Sequence, residues 1–259
     1  MGWLARSRAS RLMTRLFVRA YGVDLDEAEG DLSDFSTLES LFTRRLKDGM
    51  RPIDSAEDAI VSPVDGRVAA VGRTVDQRIE LAPGRFLSIA SLLDEPVDGE
   101  QDVAVLYLSP KDYHRVHVPR EGSAVRWTYL PGTLWPVFPA AVRRVDDLFS
   151  KNERFAVHMN TSRGPLAVVL VGAFGVGRIS TVVCDLITNV GNTRTRIQDQ
   201  PAEPIELARG ADLGVFHLGS TVVLVAPPGA WTWTIAAGQS VRFGEGIGRA
   251  TLVLQGPQS

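Results

Sequence analysis

Hydrophobic and polar positions follow two different periods along this chain. In the first twenty residues Leu12, Met13, Leu16, Phe17 and Ala20 recur at helical spacing, with Leu4, Ala5 and Ala9 extending the face, which predicts an amphipathic helix. A second short helix is predicted over 35–46: Leu38, Leu41, Phe42 and Leu46 share a face, Asp34 or Ser36 can cap it, and Pro52 follows as a stop. From Ile60 onward the pattern changes to short β-rich runs bounded by Gly, Pro and Asp, at 66–71, 86–89, 103–108, 124–130, 155–159, 166–171, 179–186, 221–225, 231–235 and 250–254. One helical interruption is predicted near 140–149. Strands this short and this frequent predict an α+β chain that is predominantly β, a sandwich or barrel-like core with N-terminal amphipathic helices.

At 259 residues the chain can bury a core without covalent staples. Its single cysteine, Cys184, excludes an intramolecular disulfide and a Cys-rich zinc site. A net charge of -2 supplies no global field to hold nucleic acid. That charge is unevenly spread: Arg6, Arg8, Arg11, Arg15 and Arg19 stand without an acid between them, and Asp24, Asp26, Glu27, Glu29, Asp31 and Asp34 follow. A basic amphipathic helix of this kind suits the surface of an anionic bilayer, and it equally suits a terminal helix packed on its own domain. The arginines leave no uninterrupted apolar region of a secretory signal, while an Arg-rich transit peptide fits the composition. No run approaches the roughly 18 apolar residues of a spanning helix, since the longest, 166–176, is broken by Gly172 and Gly175. Contact with a membrane would be from one side.

Three segments place polar residues among apolar ones. Ser62-Pro63-Val64-Asp65-Gly66-Arg67-Val68 hands the chain into a strand, and Asp-Gly there reads as a turn pair in which glycine accepts positive φ. Tyr113-His114-Arg115-Val116-His117-Val118-Pro119 holds two of the four histidines, the side chain suited to moving protons near neutral pH. A metal site is disfavoured there, because in a regular strand an offset of three sends the two rings to opposite faces and no further ligands show metal spacing. Gly219-Ser220-Thr221 precedes an apolar strand, which by itself suits an ordinary turn. Together the segments supply a hydroxyl, an imidazole and a carboxylate, the parts of a nucleophile, base and orienter. No Gly-x-Ser-x-Gly elbow surrounds any serine, which argues against an α/β-hydrolase.

In this order, Ser62-Pro63-Val64-Asp65-Gly66, Tyr113-His114-Arg115-Val116-His117-Val118-Pro119 and Leu218-Gly219-Ser220-Thr221 resemble the bacterial-type phosphatidylserine decarboxylase family. Leu41-Phe42-Thr43-Arg44, Ser109-Pro110-Lys111-Asp112, Pro131-Gly132-Thr133-Leu134, Phe149-Ser150-Lys151-Asn152-Glu153-Arg154 and Gly210-Ala211-Asp212-Leu213-Gly214 add to the resemblance, which covers most of residues 40–225. It implies a self-processing proenzyme that is cleaved between Gly219 and Ser220 into a large chain, 1–219, and a small chain, 220–259. Ser220 would attack the carbonyl of Gly219, the ester would break by β-elimination, and the new terminus would become a covalent pyruvoyl group after loss of ammonia. His117 matches the base for this step, oriented by Asp65. His114 matches the histidine that serves decarboxylation.

The implied reaction converts phosphatidylserine to phosphatidylethanolamine through a Schiff base between the pyruvoyl ketone and the headgroup amine. A phospholipid substrate implies a peripheral enzyme on the cytoplasmic face of the cell membrane, with residues 1–50 as the membrane-associating helical region and 51–259 as the β-rich catalytic domain. The anionic membrane surface and the two chains of one precursor are the implied partners. A homodimer is compatible with this reading, and the sequence does not fix the oligomeric state. The chain departs from the family pattern at one place, which puts the polar details of the headgroup pocket in question: many members read Ser-Val-Asn after the Pro131–Leu134 motif, where Trp135-Pro136-Val137-Phe138-Pro139 stands here. Two other readings stay open, a pyruvoyl-dependent decarboxylase of another amino-acid headgroup lipid and a non-catalytic β-barrel module of the lipoyl or hybrid-motif type.

Overall fold

A computed structural model describes residues 10–174, 178–189, 195–217 and 219–251. The chain is α+β and predominantly β. Five short helices are described: α1 (Ser10–Tyr21), α2 (Leu38–Phe42), α3 (Ile89–Leu93), α4 (Pro139–Val142) and α5 (Leu148–Lys151). The strands run β1 (Ala59–Val61), β2 (Gly66–Arg73), β3 (Arg78–Ala82), β4 (Arg85–Ser88), β5 (Asp102–Leu108), β6 (Arg115–His117), β7 (Gly122–Leu130), β8 (Arg154–Thr161) and β9 (Gly164–Gly172). They continue with β10 (Ile179–Thr181), β11 (Cys184–Ile187), β12 (Ile197–Asp199), β13 (Ile205–Leu207), β14 (Asp212–Phe216), β15 (Ser220–Ala226), β16 (Trp231–Trp233), β17 (Ser240–Val241) and β18 (Gly246–Ala250).

The central sheet has the order β12-β7-β8-β9-β15-β5-β2-β17, with β13 also paired to β7. Its heart is β15, antiparallel to β5 on one side and β9 on the other, and every residue of β15 is buried. Alternate residues feed two cores: Leu106, Leu170, Val222 and Leu224 join one, Val105, Val169, Val223 and Val225 the other. Both faces are therefore covered, which explains why these strands read as continuous apolar runs with no polar alternation. The first face packs against the sheet β11-β10-β14-β6 and the sheet β1-β18-β16, through Val116, Ile179, Phe216, Ile60 and Trp231. The second packs against the hairpin β3-β4 and helices α3 to α5.

Several elements differ from the sequence reading, each for a tertiary reason. The second helix is confined to Leu38–Phe42, with Thr37, not Asp34 or Ser36, as its cap in a reciprocal box with Ser40. The segment after it turns back on the acidic stretch instead, through Glu29 N–H to Arg45 O at 2.9 Å and Lys47 N–H to Glu27 O at 2.9 Å. The helical interruption at 140–149 is two single turns, α4 and α5, separated by Asp147 at φ 49°. The run 179–186 is a hairpin, β10 and β11, and the last residues of 250–254 lie outside the described residues. Gly66 does not take a positive φ. A Cβ there would sit 2.5 Å from Tyr107 O, so glycine is required by the close approach of β2 to β5.

Helix α1 buries Thr14 and half-buries Phe17 and Val18 against α2 and a small separate core of Val23, Ala28, Phe35 and Leu41. It leaves Leu12, Met13 and Leu16 exposed beside Arg11, Arg15 and Arg19. One face packs on the protein and a second apolar face does not. Residues 1–9 of the predicted helix lie outside the described residues. Among the described residues no helix is long and apolar enough to cross a membrane.

Candidate active site

The chemistry-bearing segments converge on one end of the central sheet. Ser220 opens β15 and pairs with Leu108 at the end of β5 and Gly172 at the end of β9. From Leu108 the chain turns through Ser109–Tyr113, a loop pinned by the Asp112 carboxylate, which accepts from Ser109 N–H and Oγ–H at 2.7 Å each. It then enters β6, and Phe216 N–H bonds His114 O at 3.0 Å, so His114 lies across from the residues that lead to Gly219. By strand parity Ser220 shares the face of Val222 and Leu224, the face on which β6 and β14 pack.

Gly219 has φ 27°, in the left-handed region that favours glycine. Ser220 is fully buried, and its Oγ has no hydrogen-bond partner among the described residues. Gly219 and Ser220 line a mainly apolar cavity of about 270 Å³, walled by Phe17 and Tyr21 of α1, Phe42 of α2, Val137 and Phe138 of the 135–139 loop, and Phe174. A buried hydroxyl without a partner is costly; the Thr128 and Thr221 hydroxyls share that condition, and Ser220 differs from them in lining the cavity.

His114 is fully buried. Its Nδ1 lies 2.8 Å from Asp112 O, an oxygen that can only accept, so Nδ1 carries the proton and Nε2 is the lone-pair atom. That Nε2 is buried with no hydrogen-bond partner among the described residues, and the ring meets Phe42 edge-on with centroids 4.7 Å apart. Burial, with the nearby Arg44 guanidinium, pulls the His114 pKa down to about 3, so the ring is neutral. Phe42 thus touches both His114 and the cavity of Ser220.

His117 lies at the other end of β6, opposite Asp212. Its Nδ1–H donates to Gly210 O at 3.1 Å, and the Tyr113 hydroxyl donates to Nε2 at 3.1 Å. Asp212 Oδ1 is 3.5 Å from Nδ1, and its carboxylate is held by Arg115 at 2.7 Å and Arg45 at 3.4 Å. Burial pulls the His117 pKa down to about 4 against the pull of Asp212, while Asp212, opposed by burial, is kept below its ordinary range by Arg115.

Asp65 is held elsewhere: Arg51 Nη2 and Nε reach it at 2.6 Å and 3.0 Å, and Phe243 N–H bonds Oδ1 at 2.8 Å. Glu27 shares Arg51 at 2.5 Å. No hydrogen bond joins Asp65 to His117, or Ser220 to either histidine, among the described residues. Asp65 and Arg51 line a second, polar cavity of about 580 Å³ with Lys111, Asp112 and Tyr113. The structure therefore puts Phe42 in contact with both His114 and the cavity that Ser220 lines, and among the described residues it links Asp65 to His117 only through Phe243, whose N–H bonds the one and whose ring stacks on the other. Sequence reasoning did not single out Arg51, Tyr113, Asp212 or Phe243. Tyr113 and Asp212 lie inside motifs and were discoverable there, whereas Arg51 and Phe243 carry no local signal.

The family model for phosphatidylserine decarboxylase matches residues 38–249. A phosphatidylserine decarboxylase proenzyme of Ectopseudomonas mendocina is 40% identical, covering 97% of this chain and 93% of that protein. Proteins of the same name from Nitrosococcus oceani and Marinobacter nauticus are 41% and 39% identical, covering 94% and 90% of this chain and 83% and 84% of theirs. These relatives are decarboxylases made as proenzymes. The chain belongs to the phosphatidylserine decarboxylase family.

Proposed function

We propose that this protein is made as a proenzyme, cuts itself between Gly219 and Ser220, and decarboxylates phosphatidylserine to phosphatidylethanolamine at a pyruvoyl group derived from Ser220. The observation that carries this reading is the buried, unpartnered Ser220 hydroxyl, which follows a left-handed Gly219 on the wall of an apolar cavity. The neighbours of residue 220 suit a small carbonyl group, since the position is enclosed and its side-chain oxygen has no bond to break.

Cleavage needs a base, because a serine hydroxyl is a weak nucleophile at its ordinary pKa. His117 is neutral, its proton sits on Nδ1, and Nε2 is available once the Tyr113 hydroxyl releases it. As Ser220 Oγ adds to the Gly219 carbonyl, its proton passes to the base and the Gly219–Ser220 amide becomes an ester with a free amine on Ser220. Loss of the Cα proton of residue 220 then expels the Gly219 carboxylate. Glycine at 219 puts no side chain beside the attacked carbonyl, and among the described residues other than its chain neighbours the nearest atom to the place of a Cβ is Phe174 O at 3.8 Å. After hydrolytic loss of ammonia, the pyruvoyl group supplies an electron sink for decarboxylation of an amine-bearing substrate. His114, neutral and with Nε2 unpartnered, is the group we assign to proton transfer in that reaction.

The lipid part of the reading rests on the cavity mouth. Tyr21, Phe138 and Phe174 line the cavity and are exposed, and Trp135 stands exposed in the same loop as Phe138. The exposed Leu12, Met13 and Leu16, flanked by three arginines, continue this apolar surface along α1, a composition suited to an anionic bilayer. We assign the enzyme to the cytoplasmic face of the membrane as a peripheral protein, with 1–50 as the associating region. Intact mass spectrometry of the wild type and Ser220→Ala tests the central claim. The wild type should separate into two chains, the smaller starting with a pyruvoyl group, and the variant should remain one chain that does not convert substrate. Turnover by the uncleaved variant would refute the reading.

A further inference from the structure

Phe243 lies 23 residues beyond the proposed cut, in a loop between β17 and β18, yet its ring stacks on His117 with centroids 3.6 Å apart and planes 8° apart. Its main-chain N–H is the atom bonded to Asp65 at 2.8 Å. The loop is fastened on both sides: Gly244 N–H bonds Ser62 O at 3.0 Å, Ser62 N–H bonds Glu245 O at 2.8 Å, and Asp54 N–H bonds Gly244 O at 2.8 Å. Arg51 in turn fixes Asp65 through two nitrogens. A flat ring so nearly parallel to the imidazole confines its tilt and shields one face from water.

We propose that Asp65 acts on His117 through Phe243, anchoring the loop that keeps the phenyl ring stacked on the imidazole, and that Asp212 is the carboxylate that faces the charge His117 acquires. Phe243 and Asp65 are thus positioning residues. This inference rests on the reading of His117 as the base for cleavage. With the cut at 219–220, the clamp joins the two chains: Phe243 lies in the small one, Asp65, Asp212 and His117 in the large one.

The groups facing His117 are Asp212 on β14, Arg115 on β6, Tyr113 before β6, and Asp65 after β1, with Phe243 covering the ring. The two roles have opposite signatures. Removing the ring hydrates the imidazole, relieves the burial that depresses its pKa, and raises that pKa. Removing the Asp212 charge disfavours the imidazolium and lowers it. Cleavage requires neutral His117, so its rate rises with pH through the His117 pKa, and this rising limb reports the shift.

The test uses the full-length precursor made by cell-free synthesis, transferred to a series of pH values and followed by mass spectrometry. Phe243→Ala should slow cleavage at least about tenfold and move the limb to higher pH, while Phe243→Tyr, which keeps the stack, should restore both. Asp212→Asn should slow cleavage and move the limb to lower pH. Asp65→Ala should add little to Phe243→Ala and its full effect to Asp212→Asn, the pattern of a coupled pair beside an independent one. Phe243→Leu fills the space without a flat ring, and its slowed cleavage carries the same information should the alanine variant not fold. Cleavage by Phe243→Leu and Phe243→Ala at the wild-type rate, or a limb unmoved by Asp212→Asn, would overturn the inference. Undiminished cleavage by His117→Ala would instead remove the reading beneath it, and the two failures are distinguishable.

Discussion

His114, just before β6, and His117, at its end, differ in what their Nε2 atoms meet. His117 Nε2 accepts a hydroxyl and its Nδ1 side faces a carboxylate, an environment that can carry a proton briefly. His114 Nε2 meets no partner and sits beside Arg44, an environment that resists charge. On the proposed assignment, His114→Gln should still cleave and should lose roughly a hundredfold in turnover, measured as carbon dioxide release from phosphatidylserine by protein already shown by mass to be cut. Uncut His114→Gln would reassign the residue to processing. Gly66 matters for space alone: Gly66→Ala forces a methyl against Tyr107 O and should cost about 1–3 kcal/mol in urea unfolding. Because Gly66 adjoins Asp65, the same variant should also slow cleavage.

Among the elements, α2 has an influence beyond its five residues. Phe42 touches His114 at 4.7 Å, Phe17 of α1 at 5.3 Å and the cavity of Ser220. A helix this short depends on its ends. Thr37 accepts from Ser40 N–H at 3.0 Å, and Ser40 Oγ accepts from Thr37 N–H at 3.1 Å. Thr37→Ala should therefore cost about 1 kcal/mol, with Thr37→Ser restoring most of it, read as thermal midpoint. The loop 135–139 is held in a comparable way by one side chain, since Asn152 bonds Trp135 N–H and O at 2.8 Å each and Gly172 O at 2.9 Å. It joins the strand next to Ser220 to the aromatic rim.

For the whole molecule, three buried histidines link stability to pH. Burial holds His114 at about 3 and His117 and His158 at about 4, below the unfolded value near 6.5. Between these values the unfolded chain binds more protons than the folded one, so stability is full above about pH 6.5 and falls as pH drops toward the folded pKa values. The loss should be on the order of 1–2 kcal/mol per histidine by pH 5. Urea midpoints at pH 7 and pH 5 check it, and His158→Gln, far from Ser220 along β8, should make the dependence shallower. A midpoint unchanged over this interval would show that the three rings are not held neutral. The hydrophobic surface of α1 and the rim predicts binding to vesicles containing anionic lipid, weakened by salt and by Leu16→Gln in a co-sedimentation assay.

Sequence alone determined the parts: a β-rich core, because Val103–Leu108, Leu166–Val171 and Thr221–Val225 are too apolar and too short for anything else, and a candidate trio, Asp65, His117 and Ser220, because each lies in a motif with a recognisable order. It also marked α1, whose two faces are written in its own period. Tertiary structure alone decided the contacts. Long-range pairing stopped α2 at Phe42 and set the 2–5-residue strands such as β6, β14 and β17, whose local pattern is too short to reveal them. It gave Asp65 to Arg51 and Phe243 and set Asp212 beside His117, 95 residues away in sequence. Apolar periodicity records which side of an element is buried, a local property, while the partner of a charge depends on where distant segments meet.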